Sequence, residues 1–289
     1  GVIILVFTLS FMEGYKNSFI RQNARFDSGH VKVVSRAYAE MLQQKPYDLA
    51  MLDIQDDLKL WKAEYPQLDW VERIGFAALL DIPDNEGDTR AQGEVLGFAL
   101  DILDNKEEVG RLHLDSALCS GRLPQQAGEV LLSDSSFKRL NLALGDDITL
   151  IGATVFGAMS MQNFIVVGSV NFGVQSLDRG AMIGDIADIR KFLDLEQGAC
   201  EILAYFKSGN FDSRQATDLA RKFNNKFSNE DDEFSPQMLT MMQQNNLGYL
   251  IGIFSQTMYW MGVGFIFILG IVLWRSEEHT SELQSRQVI

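Results

Sequence analysis

Few side chains in this sequence stand at spacings that do chemistry. His30 lies beside the β-branched run VKVVS with no second histidine or carboxylate at ligand spacing, so a packed structural histidine is the simpler reading than a metal ligand or general base. Cys119 and Cys200 fit no metal motif. In an oxidising compartment they could pair, but two separate buried thiols is the plainer expectation. The acidic run Glu230 to Glu233 lacks the alternating ligands and the glycine of a calcium loop and reads as a solvated loop. Met238, Met241 and Met242 suggest soft-metal binding at first sight, yet a flexible apolar seam needs the same residues. The chain has no GxxxxGK[ST] phosphate loop, no G-x-S-x-G elbow and no H-E-x-x-H zinc helix. We therefore expect no catalytic, cofactor-binding or metal site in this chain.

The strongest signal is physical. From Leu247 to Trp274 no side chain is charged, and roughly 20 apolar helical residues suffice to cross a bilayer. A second apolar run, Gly1 to Met12, opens the chain without a basic leader or small-residue cleavage site, which fits the end of a first span better than a signal peptide. Arg275 to Ser285 spells RSEEHTSELQS, which reads as a translated sequencing adapter, so native sequence is expected to stop near Trp274. The net charge of −14 disfavours nucleic acid as a partner, because phosphate contacts need clustered Lys and Arg. Two spans thus bracket one large acidic body outside the bilayer. Charge flanking the spans does not settle which side it faces.

Within that body, Val31 to Ser35 reads as a strand. Asp48 is placed to cap a helix with Ile54, Leu58, Trp61 and Tyr65 on one face, ended by Pro66, and Val71 to Asp81 follows as a strand. A comparable unit recurs later. Ala181 to Gly184 is a strand, Asp185 caps a helix through Leu195, Cys200 to Phe206 is a strand, and Asp212 caps a helix with Ala216, Leu219, Ala220, Phe223 and Phe227 on one face. The two ends of the body are expected to share one α+β layer. Between them, Glu129 to Leu132, the helix-like Ser135 to Leu142, the Gly145-Asp146 turn and the paired strands Ile148 to Ile151 and Phe164 to Val167 form a compact β-rich insert. Ser235-Pro236 looks like an N-cap and first-turn pair. A helix running from there to Trp274 would be roughly 58 Å long against a hydrocarbon core of about 30 Å, a stalk projecting from the membrane.

These segments carry a resemblance. SGHVKVVSRAY at Ser28 to Tyr38, GEVLLSDSSFKRLNLALGDDITLIG at Gly128 to Gly152 and FIVVGSVNFG at Phe164 to Gly173 resemble the outer domain of MacB/LolC/LolE-type ABC transporter permeases of the FtsX-like superfamily. The residues that carry it, Gly29, His30, Gly128, Glu129, Gly145, Asp146 and Gly168, are read as structural. The resemblance implies an α+β, porter-like layer with an inserted sabre-like subdomain, held in the periplasm by the bacterial inner membrane. It divides the chain into residues 1–27 (end of the first span), 28–104 (first porter-like segment), 105–176 (sabre-like insert), 177–234 (second porter-like segment), 235–274 (stalk and second span) and 275–289 (non-native tail).

The resemblance also implies a permease acting by mechanotransmission, with ATP bound and hydrolysed on a separate ATPase subunit, a second permease copy or homologue, and a periplasmic lipoprotein carrier as a further partner. Gly248 and Gly252 would allow close helix packing. The SGHV opening leans toward lipoprotein release over MacB-type efflux, and the long outer domain argues against short-domain regulators of cell-wall hydrolases. A two-span sensor with an extracytoplasmic ligand-binding domain is the alternative from another class.

Overall fold

A computed structural model of the chain describes residues 2–84 and 86–286; Gly1 and residues 287–289, which belong to the expected first span and tail, lie outside the described residues. The chain divides into two compact units. One consists of the terminal helices Val2–Asn23 and Leu247–Arg286. Within it, Leu247–Val272 is long and apolar enough to cross a membrane, and no other helix among the described residues passes that test. Ile266, Phe267 and Ile268, on successive sides of this helix, are all exposed; an apolar surface all round is what lipid, not water, accommodates. The helix continues through the adapter-like residues as far as Arg286.

The second unit, Arg25–Asn245, is an α+β body built, among the described residues, on ten strands: β1 (Val31–Ser35), β2 (Leu68–Pro83), β3 (Thr89–Leu100), β4 (Leu118–Gly121), β5 (Glu129–Ser133), β6 (Asp147–Ala153), β7 (Met159–Val170), β8 (Ala181–Asp185), β9 (Glu201–Phe206) and β10 (Pro236–Thr240). They hydrogen-bond in the order β10-β1-β9-β2-β3-β8-β5-β7-β4, with β6 pairing both β2 and β7. Strands from both ends of the body do share one layer: β1 lies between β9 and β10. The expected hairpin is present as β6 and β7, antiparallel from Asp147↔Ile165 to Ala153↔Met159. β8 pairs with β3 and with β5, so it ties the flanking layer to the strands between.

Side-chain alternation along β1, β9 and β2 gives this part of the sheet two different faces. On one, Val31, Val33, Ile202, Ala204 and Trp70 join a core built against the helices Gln55–Glu64 and Ser213–Phe227, where the rings of Trp61 and Phe223 meet edge-on at 5.1 Å. The other face carries Lys32, Asp69, Arg73, Glu201 and Tyr205, whose register positions stand side by side. Farther along β2, Phe76 lies across Gly97 of β3: a Cβ there would stand 1.9 Å from the ring, so the absent side chain is what lets the aromatic pack.

Asp185 and Asp212 cap their helices as expected, Asp185 accepting from Ala187 N–H and Asp212 from Arg214 and Gln215 N–H. Three expectations fail. The first helix begins at Gln55, not near Asp48, because residues 47–54 are held by the bridges of Met51 to Ala199 and Asp53 to Gln197. The two thiols are separate and Cys200 is buried, as expected, but Cys119 is exposed on the short strand β4. The stalk helix does not start at Ser235-Pro236. Residues 236–240 form β10, Met241–Gln243 make a 3-10 turn, and the left-handed backbones of Asn245 (φ 49°) and Asn246 (φ 58°) precede the helix that starts at Leu247. Burying Met238 in the core stabilises the strand, and Pro236 is tolerated as the first residue of an edge strand.

Candidate functional site

The motif residues act as pivots of the fold. Gly29 (φ 60°) turns the chain into β1, and a Cβ there would lie 2.8 Å from the Val31 carbonyl. His30 is buried against Tyr205, Phe206 and Phe211. Its Nδ1 accepts a hydrogen bond from Phe206 N–H at 3.0 Å, so the ring serves as a neutral acceptor, and burial aided by the Arg111 charge pulls its pKa down to about 4. Gly128 (φ 82°) donates its N–H to Asp188 Oδ2 at 2.6 Å. Glu129 takes both guanidinium arms of Arg122, at 2.6 and 2.5 Å, and this pairing, outweighing burial, holds its carboxyl at about 2. Gly145 (φ 91°) opens the turn, and Asp146 closes it by accepting from Ala143 N–H (3.0 Å) and Arg90 (3.2 Å). Gly168 lets the backbones of Ser120 and Arg122 approach β7, since a Cβ would sit 2.9 and 2.7 Å from their carbonyls. A Cβ at Gly252 would meet open space; Gly248 lies in the first turn of the same helix. None of these residues is gathered with the others into a reactive cluster. Among the described residues no group of His, Cys, Asp and Glu stands close enough to hold a metal ion.

A cluster of charged side chains lies on the polar face of the sheet, where local sequence pattern carries less warning. At its centre Lys32, wholly buried, forms an ion pair with Glu201 Oε2 at 2.9 Å. Tyr38 donates its hydroxyl to Glu201 Oε1 at 3.0 Å. Burial alone would raise the Glu201 pKa, but the Lys32 and Lys45 charges outweigh it and keep the carboxylate ionised. Beside this pair, buried Arg73 binds Glu108 at 2.5 Å, and Arg111 binds the second oxygen of Glu108 while lying over the Tyr205 ring at 4.1 Å.

What this network grips is the point where the chain enters and leaves the body. After Asn23 the backbone widens into a π-type turn, Ala24–Ser28. Arg73 donates to the Arg25 carbonyl at 2.9 Å. Asp27 accepts from Lys45 at 2.6 Å and from the Asn245 side chain at 2.7 Å. Burial pushes the Asp27 pKa upward, yet the Lys32 and Lys45 cations override it and hold it at about 2. Gln244, buried, donates its side-chain amide to both Ser28 and Thr240 carbonyls at 3.2 Å. The first and last residues of the body are therefore bound to each other and to the sheet. The Lys32–Glu201 and Arg73–Glu108 pairs behind this joint are buried, whereas the Asp27 bonds to Lys45 and Asn245 lie nearer the surface. Its hydroxyl, amine and guanidinium groups are held against carboxylates and carbonyls of the same network.

Among solved structures, the chain is similar to the periplasmic region of MacB from Actinobacillus actinomycetemcomitans, at 12% identity, covering 77% of this chain and 94% of that one, with a TM-score of 0.47. It is also similar to the extracellular domain of the noncanonic ABC-type transporter YknZ from Gram-positive bacteria, at 11% identity, covering 73% of this chain and 99% of that one, with a TM-score of 0.46. No protein-family model matches the chain, and no curated protein does.

Proposed function

We propose that this chain is the permease subunit of an ABC transporter of the MacB/LolC/LolE kind, which moves its outer body by mechanotransmission and performs no catalysis itself. The observation that carries the reading is the joint: Asp27 and Gln244 tie the residue stretches that continue into the two terminal helices to one another and to the ionised face of the sheet. The apolar helix Leu247–Val272 supplies the membrane element, and the residues that carry the sequence resemblance are those on which the body's turns depend.

In this reading the body lies in the periplasm and the spans lie in the bacterial inner membrane. ATP is bound and hydrolysed by a partner ATPase subunit, and a second permease copy or homologue completes the transporter. Residues 28–104 and 177–234 form the porter-like layer around a sabre-like insert at 105–176. The substrate class we favour is a lipoprotein released toward a periplasmic carrier, a reading that rests on the SGHV opening at Ser28 to Val31.

The lever is not a stalk helix running on from Pro236; it is the bonded joint before Leu247. Inserting four glycines between Asn245 and Asn246 should leave ATP turnover of the reconstituted permease and ATPase in place and abolish release of a lipidated reporter from proteoliposomes. Release at the wild-type rate would remove the mechanical reading.

A further inference from the structure

The first half of β2 has a free edge. Leu68–Arg73 pair with β9 on one side, and β3 joins the other side only from Ile74 onward. The bond from Lys207 N–H to the Gln67 carbonyl, 3.1 Å, sets the phase of the ladder. In an antiparallel pair every second residue exchanges both backbone bonds with its partner. Gln67, Asp69, Val71 and Arg73 therefore turn to β9, and Leu68, Trp70 and Glu72 turn to the open side. The Leu68 N–H is taken by the Tyr65 carbonyl at 3.1 Å, which leaves the backbone donor and acceptor of Trp70 at the centre of the free stretch.

A cavity of about 310 Å³ runs along this edge and is lined by the consecutive residues Leu68, Asp69, Trp70 and Val71. Consecutive strand residues point to opposite faces, so one cavity touches all four only from the edge. Around its mouth stand Lys62, Lys207 and Arg111, against Asp69 and Glu107. Asp69 is already engaged, 3.7 Å from Arg111. Lys62 and Lys207 are exposed and enter no ion pair among the described residues. On a chain of net charge −14, a cation-rich rim around an unfilled strand edge is a local reversal of charge.

We propose that this edge is a docking site for an extended acidic segment of a partner protein, which adds to β2 as a further strand through Trp70 and sets its carboxylates against Lys62 and Lys207. Backbone bonds supply the affinity in such strand addition, and the flanking charges select the partner. The site is remote in sequence from the joint at residues 24–28 and 241–245, and it stands whether or not the transporter reading holds.

The test uses the full chain in detergent micelles and a fluorescein-labelled pentapeptide of alternating valine and glutamate, read by fluorescence anisotropy. Saturable binding is expected. It should weaken at least about tenfold in the double variant Lys62→Glu, Lys207→Glu, and by a similar factor when the peptide's alternate backbone amides are N-methylated. Both lysines are exposed, so the variant should keep the parent's thermal midpoint. The proposal is overturned by absence of saturable binding, by equal binding of a valine–lysine peptide, by indifference to N-methylation (ionic adherence alone), or by full competition from inorganic phosphate (a small-anion site).

Discussion

His30 shows what a single side chain contributes here. Its ring accepts the Phe206 N–H, a role that only the neutral imidazole fills through Nδ1, and burial brings its pKa from 6.5 down to about 4. The unfolded chain therefore binds a proton near pH 6.5 that the folded chain refuses until about pH 4. Stability contributed by the neutral ring is complete above pH 6.5 and is lost progressively as the pH falls to about 4, a loss on the order of 3 kcal/mol. Asp27 and Glu129, both held at about 2, add a second loss below their unfolded values near pH 4. Urea titrations between pH 7 and 4.5 should show the midpoint falling in the wild type. It should fall much less in His30→Gln, whose amide oxygen can accept the same bond without titrating. A wild-type midpoint flat across that window would mean the ring is not held neutral by the fold.

At the scale of elements, β10 shows how an edge strand is closed without another strand. Asn224, on the helix Ser213–Phe227, donates its side-chain amide to the Met238 carbonyl (3.0 Å) and accepts the Met238 N–H (2.7 Å). The amide thus stands in for the missing neighbour of β10. Asn224→Ala leaves two main-chain groups unpaired beside a buried methionine, and about 1–3 kcal/mol per stranded group is the usual cost. Asn224→Asp retains the acceptor alone and should fall between. Chemical denaturation that finds Asn224→Ala within about 0.5 kcal/mol of wild type, the range of neutral surface changes, would show that water closes this edge. The same strand marks where sequence reading runs out. Val31 to Ser35, the Asp185 and Asp212 caps and the β6–β7 pair follow from local pattern, and the structure has them. Ser235-Pro236 carries an equally good local signal for a helix start. There the tertiary gain of burying Met238 beside β1, with Asn224 satisfying the outer edge, overrides it. Lys32 was legible as the alternate residue of a strand, but alternation says that a second face exists and not what covers it. The partners that make Lys32 part of a joint, Glu201 and Tyr38, are set by tertiary pairing, and Glu201 comes from far along the chain.

The whole body, Arg25–Asn245, is one uninterrupted stretch whose two ends meet: the bond from Asn245 to Asp27 joins residues 218 apart in sequence. It has its own core on both sides of the sheet, so a fragment of residues 25–245 should fold alone and unfold in one cooperative step. Asp27→Ala in that fragment removes the acceptor shared by Lys45 and Asn245, at a cost of about 1–3 kcal/mol for bonds to a charged group. A merely local contact would loosen residues 25–28 alone. A joint that binds entry to exit predicts instead that amide hydrogen exchange speeds up at residues 25–28 and 241–245 together, because the two stretches open as one cooperative unit. Gln244 supplies the internal control, since its bonds to Ser28 and Thr240 keep the exit partly tied when Asp27 is lost. Gln244→Ala should loosen both stretches as well, and the double variant should exceed the sum of the two singles, because either tie holds the ends together while the other is lost. Exchange that rises at one end while the other stays protected would mean that the two chain ends merely lie side by side, and that displacement of one is not carried to the other through the body.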